Sequence, residues 1–192
     1  MDKCINLFIG LGNPGLKYEN TRHNFGFIVL DEIVKFKKLR FKNWGDIAKI
    51  SFYDIGSRKI WFLKPMIFMN SSGFVVSSFA KYHKITSNEI FVFYDDFSVP
   101  LGEYRIRMNG SSGGHNGISS IIKCMHSSNF ARMKLGIGTN FKFRSTAEFV
   151  LSPFSKDDDK KVCLIKKKCV KFFDEICLLG LDRAVAMLSN IG

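Results

Sequence analysis

One histidine, one aspartate and three asparagines fall at predicted turns and element ends, and together they could activate a water against an ester. The chain has four histidines: His23, His83, His115 and His126. An imidazole ordinarily titrates at about pH 6.5, which makes it the natural proton acceptor at neutral pH. A lone histidine more commonly packs or solvates, so company decides. His23 lies in Thr21-Arg22-His23-Asn24, where a helix is predicted to begin. Asp95 ends a predicted strand, a suitable place for a carboxylate that orients an imidazole. Asn13 follows a strand, Asn70 sits in Phe68-Met69-Asn70 at a loop-to-helix junction, and Asn116 lies in Gly113-Gly114-His115-Asn116-Gly117 at the start of another helix. Helix starts offer free backbone N–H groups to anions. A carboxamide both donates and accepts, so it can read a peptide group or hold a water.

This set suits hydrolysis of an activated ester without a covalent nucleophile. No cysteine adjoins the histidine motif. Zinc finds neither an H-x-x-x-H pair nor a Cys/His cluster in sequence. Asp95 and Asp96 could hold Mg²⁺, but neighbours on a strand point to opposite faces. No metal and no cofactor is expected.

Gly10-Leu11-Gly12-Asn13-Pro14-Gly15 spells G-x-G-x-x-G after a strand, the pattern of a dinucleotide loop. In that fingerprint the last glycine opens a helix whose N-terminus meets the pyrophosphate. Here Lys17, Tyr18 and Glu19 intervene, and no acid ends a second strand at the spacing that would hold a ribose. The glycines read instead as a tight turn presenting Asn13.

The elements that must position these residues alternate. A buried strand is expected over Ile5 to Leu11, then a helix capped by Asn20 or Thr21 and running to about Lys37. Strands follow at about Ile47 to Asp54 and Lys59 to Leu63, then a helix beginning at Ser71 or Ser72 and carrying Phe74, Val75, Phe79 and Tyr82. Further strands are expected at Glu89 to Tyr94, Glu103 to Met108 and Lys134 to Gly138, with a helix holding Ile118, Ile121, Ile122 and Met125. After Pro153, Val162, Ile165, Cys169, Phe172 and Ile176 step by three and four, the apolar stripe of a helix. Lys160, Lys161, Lys167, Lys168 and Lys171 cover much of the rest of that helix, as a solvated face or an RNA contact. Gly180 breaks the pattern before a short helix over about Asp182 to Ser189. Strands alternating with helices predict a single α/β domain, residues 1–192, around a mixed sheet.

Composition agrees. Hydrophobic residues make up 46% and charged residues 24% of the 192, as in an ordinary globular protein. No apolar run nears the roughly 20 residues of a membrane span. Met1-Asp2-Lys3-Cys4 lacks the layout of a signal peptide, and five irregularly spaced cysteines fit free thiols in a reducing compartment. A cytoplasmic protein is expected. A net charge of +12 favours a polyanionic partner.

Gly10 to Asn24 (GLGNPGLKYENTRHN) resembles the bacterial-type peptidyl-tRNA hydrolases. The resemblance continues in order through Lys64 to Gly73 (KPMIFMNSSG), Asp95 to Gly102 (DDFSVPLG), Gly113 to Gly117 and Lys134 to Gly138 (KLGIG). It implies a monomer with a mostly parallel twisted sheet flanked by helices, a three-layer sandwich of the phosphorylase/hydrolase-like type. It also implies cleavage of peptidyl-tRNA dropped from ribosomes, with no membrane partner. By position, His23 would be the general base and Asp95 its orienting partner. Asn13, Asn70 and Asn116 would hold ester and water, with Tyr18, Phe68 and Met69 lining the cleft. Arg107 and Lys134 would clamp the tRNA 5′-phosphate. Two departures stand out: Ser98 where the family often has an acid, and Lys134 where it commonly has arginine, a point charge without the bidentate fork. The competing readings are a non-catalytic RNA-binding relative and, on the glycine loop alone, a nucleotide-dependent oxidoreductase.

Overall fold

Side chains on a strand alternate between faces, and here that alternation builds two cores. The structure, a computed structural model, describes residues 4–138 and 145–189. In chain order the elements are β1 (Leu7–Gly10), α1 (Phe25–Phe36), β2 (Lys42–Trp44), β3 (Ala48–Ile55), β4 (Arg58–Pro65), α2 (Ser72–His83), β5 (Ile90–Asp96), β6 (Tyr104–Arg107), α3 (Asn116–Met125), β7 (Ala131–Gly136), α4 (Thr146–Val150), α5 (Asp159–Leu179) and α6 (Leu181–Ser189). Among the described residues one sheet forms, in the order β2-β3-β4-β1-β5-β7-β6. Its centre, β4-β1-β5-β7, is parallel; β3 and β6 run against their neighbours.

Phe8, Phe62, Phe91 and Phe93 project from one face into a core with α1, α5 and α6. Phe8 alone meets the rings of Phe62, Phe91, Phe93 and Phe173. Leu7, Ile9, Leu63, Val92 and Tyr94 project from the other face onto Val75, Phe79, Ile118 and Ile121 of α2 and α3. The expected α/β domain with a mixed sheet and helices on both faces is what forms.

Several boundaries differ from those expected. His23 does not sit on the α-helix: Arg22–Asn24 make a 3₁₀ turn and α1 starts at Phe25. Thr21 caps nothing with its side chain, because its hydroxyl donates to the Tyr18 carbonyl. A second 3₁₀ turn, Met69–Ser71, likewise precedes α2. The edge strand β2 and the short α4 were not foreseen. β2 has three mostly exposed residues and α4 has five, too few for a period to register. The stripe after Pro153 is buried as expected at Ile165, Cys169, Phe172 and Ile176, while Lys160, Lys161, Lys167, Lys168 and Lys171 are exposed. Met1 to Lys3, part of the expected N-terminal segment, lie outside the described residues.

No helix among the described residues is long and apolar enough to cross a membrane. All five cysteines are unpaired. Burial holds the Cys177 thiol protonated, its pKa pushed up to about 12.

The glycine loop is explained by packing. A Cβ on Gly10 would lie 2.5 Å from the Gly26 carbonyl oxygen, and one on Gly12 would lie 2.6 Å from the Phe27 ring. These glycines let α1 close onto the end of β1, where Phe27 N–H bonds the Leu11 carbonyl at 3.1 Å. Gly26 is tighter still: its Cβ would meet the Phe93 oxygen at 2.3 Å and the Leu11 nitrogen at 2.5 Å. Backbone atoms cannot step aside, so Gly26→Ala must push α1 and its preceding turn off the sheet. We expect a loss of about 2–3 kcal/mol or more in urea unfolding, with turnover falling too because His23 rides on that turn.

Candidate active site

The site forms at the carboxyl ends of the parallel strands, where α/β sheets place ligands. The turn after β1 delivers Asn13, β5 delivers Asp95 and Asp96, the turn before α1 delivers His23, and the start of α3 delivers His115 and Asn116. Together with Phe68, Met69, Asn70, Phe97, Gly113, Gly114 and residues 146, 147, 150 and 151 they line a cavity of about 570 Å³.

Asp95 is the anchor. His23 Nδ1 lies 2.9 Å from both of its oxygens, and His115 Nε2 lies 3.1 Å from Oδ1. The Asp95 side chain is 2% exposed and that of His23 is 12% exposed. Burial alone would raise the carboxyl pKa. The charges of His23 and His115 and the hydrogen bonds from both rings outweigh burial and hold it well below the usual carboxylate range. An ionised Asp95 accepts only, so His23 carries its proton on Nδ1 and turns the lone pair of Nε2 outward. The tautomer of His115 is fixed independently. Its Nδ1 accepts the Ile118 N–H at the start of α3, 3.3 Å away, so its proton sits on Nε2 and donates to Asp95.

Asn13 is held on three sides. Its N–H donates to Asn24 Oδ1 at 2.8 Å, its carbonyl accepts from Asn24 Nδ2 at 3.0 Å, and its side-chain oxygen accepts the Met69 N–H at 2.8 Å. With that oxygen taken, the amide NH₂ is what Asn13 can offer a ligand. Gly117 makes room for the neighbours, since a Cβ there would meet the Met69 sulfur at 2.5 Å. Asn70 and Asn116 are exposed on the cavity wall. No serine or cysteine stands among the described residues of that wall. Its one hydroxyl, Thr146, is not hydrogen-bonded to His23.

The outer residues are arranged differently. Tyr18 does not line the cavity. It belongs to a 3₁₀ turn, Leu16–Tyr18, and its ring lies against the Lys17 ammonium. Lys134 is already engaged, with Nζ 2.7 Å from Asp96 Oδ2, while Ser98 N–H and hydroxyl bind Asp96 Oδ1. Despite its burial, Asp96 is held below the ordinary carboxylate range by the Lys134 and Ser98 hydrogen bonds and the Lys134 charge. Arg107 is exposed and contacts the Ile106 carbonyl. In β6–β7 pairing Arg107 faces Arg132, and Arg105 faces Lys134. Arg132 is buried and ties down the glycine loop through the Ser111 carbonyl.

The family model for peptidyl-tRNA hydrolase matches residues 7–191. The chain belongs to this family. A peptidyl-tRNA hydrolase of Sulfurihydrogenibium is 46% identical over 193 residues, covering 97% of this chain and 98% of that one. One from Aquifex aeolicus is 44% identical over 169 residues, 87% of each. The crystal structure of peptidyl-tRNA hydrolase from Acinetobacter baumannii superposes with a TM-score of 0.88 at 26% identity, covering 99% of this chain and 95% of that one. The enzyme hydrolyses the ester between peptide and tRNA. The nucleotide-dependent oxidoreductase and the non-catalytic relative are not favoured.

Sequence reasoning missed three contributors to this peptidyl-tRNA hydrolase site. His115 is legible in sequence only as part of its motif, and its convergence on Asp95 needs the β5–α3 geometry. Asn24 was visible beside His23, but its bond to Asn13 spans 11 residues. α4, which brings Thr146, Ala147 and Val150 to the wall, gave no signal.

The Asp95 environment has a consequence for acid stability. Its folded pKa lies below the unfolded value of about 3.9, so its contribution is present above about pH 4 and is lost as pH falls through the folded value. Urea midpoints measured from pH 6 to pH 3 should fall more steeply in the wild type than in Asp95→Asn.

Proposed function

We propose that His23 Nε2 takes the proton of the attacking water and that Asp95 fixes the tautomer which makes this possible. The observation that carries the reading is the Nδ1 of His23 placed 2.9 Å from both oxygens of a buried carboxylate, beside a cavity. General bases so held contribute about 10²–10⁴-fold. The Asn13 NH₂ donates to the ester or to the developing oxyanion, an interaction of about 3–4 kcal/mol where such donors have been removed from other enzymes. Asn70 and Asn116 bind the peptide amide and the water, and Phe68, Met69 and Phe97 give the peptide an apolar wall. Recognition of the peptide amide separates peptidyl from aminoacyl esters. Tyr18 is not among the residues of that wall and serves at the rim.

Arg107 contacts the tRNA 5′-phosphate, and Lys134 joins it by exchanging Asp96 for phosphate. The net charge of +12 favours this partner at long range. The chain acts as one domain, residues 1–192, as a monomer in the cytoplasm, without a cofactor.

N-acetylated aminoacyl-tRNA and its unblocked counterpart test the reading together. The wild type should release tRNA from the blocked substrate alone. His23→Ala should lose about 10²–10⁴-fold in turnover while keeping its circular dichroism and tRNA affinity. Near-wild-type turnover in that variant would remove the base from His23. Binding should also weaken steeply between low and moderate salt, since each phosphate contact releases counterions.

A further inference from the structure

The two histidines and the aspartate that make the base also make a metal site. We propose that His23, Asp95 and His115 bind a single divalent transition metal of the Zn²⁺ class, and that the bound ion silences the enzyme. One ligand atom from each of His23, Asp95 and His115 lies within 4.8 Å of the other two, and His23 Nδ1 and His115 Nε2 both approach Asp95 Oδ1. The two nitrogen–oxygen separations are 2.9 and 3.1 Å. Tetrahedral zinc with bonds of about 2.0–2.1 Å places its ligands roughly 3.4 Å apart. The nitrogen–oxygen pairs therefore open by a few tenths of an ångström, and the imidazoles, with centroids 5.1 Å apart, draw together. All three residues line the cavity, which leaves a fourth position for water. Two imidazoles and one carboxylate suit Zn²⁺, Co²⁺ or Ni²⁺. Mg²⁺, which demands oxygen ligands, is excluded by the same donors.

Proton bookkeeping gives the effect. In the free site the His23 proton is on Nδ1 and the Nε2 lone pair is available. A metal on Nδ1 moves that proton to Nε2, turning the acceptor into a donor. On His115 the proton moves from Nε2 to Nδ1, which breaks the Ile118 cap. That bond is long, at 3.3 Å, and is a small loss against three metal bonds. The ion lies on the Asp95 side of the His23 ring, away from Nε2, so its water does not replace the one Nε2 would activate. Binding stands without the proposed role of His23, whereas inhibition rests on it.

The test uses Cys4→Ser/Cys163→Ser protein, because both of those thiols are exposed. Co²⁺ should give visible ligand-field bands saturating at one equivalent, with His115→Gln binding at least tenfold more weakly. In the unaltered histidine background, Zn²⁺ should shift the ring nitrogen signals of His23 and His115 but not those of His83 or His126. Shifts confined to His83 or His126, or equal Co²⁺ affinity in His115→Gln, would overturn the site. Zn²⁺ should lower kcat at least tenfold at unchanged KM, reversibly with chelator, while Mg²⁺ does not. Saturated, NMR-verified Zn²⁺ binding with full turnover would overturn the inhibition and the base assignment while leaving the metal site.

Discussion

A carboxylate buried to 2% exposure of its side chain is the constraint on which the site depends. A buried charge is tolerated only when paired and hydrogen-bonded, and removing one partner of such a pair typically costs about 3–5 kcal/mol. Asp95 meets that condition by taking N–H bonds from two imidazoles that reach it from opposite directions in the chain. His23 arrives on the turn before α1, which is pressed against β1 and β5 by glycines 10, 12 and 26. His115 arrives at the start of α3, held by its bond to Ile118. The parallel centre of the sheet, the close-packed glycines and the cap on α3 all bear on one carboxylate. A shift in any of these elements reaches the base.

Much of this was legible in the chain. Buried strands such as Ile5–Leu11 and Glu89–Tyr94 announce themselves by continuous apolar runs, and the helix after Pro153 by its three-and-four spacing. His23, Asp95 and the three asparagines stood out because each sits where a regular element stops. What stayed hidden is tertiary. Nothing in the spacing of His23 and His115, 92 positions apart, says that they share an oxygen, and the absence of a zinc motif in sequence says nothing about convergence in space. The 3₁₀ turns at Arg22–Asn24 and Met69–Ser71 were hidden for a local reason: their residues also fit the first turn of an α-helix. α4 was too short to carry a period.

The basic residues illustrate a different limit. A cation in sequence does not reveal its existing partner. Lys134 looks like a free phosphate ligand until Asp96, itself fixed by Ser98, is found on its ammonium. The serine that departs from the family pattern thus orients the carboxylate two residues before it. Arg105 and Arg107, on the neighbouring edge strand, carry exposed charge on the same face.

The central claim is that Asp95 dictates which nitrogen of His23 bears the proton. Nitrogen-15 NMR of the imidazoles reads this directly in the resting enzyme. His23 should show a protonated Nδ1 and an unprotonated Nε2, with the preference weakened or reversed in Asp95→Asn. A wild-type His23 whose proton resides on Nε2 would contradict it.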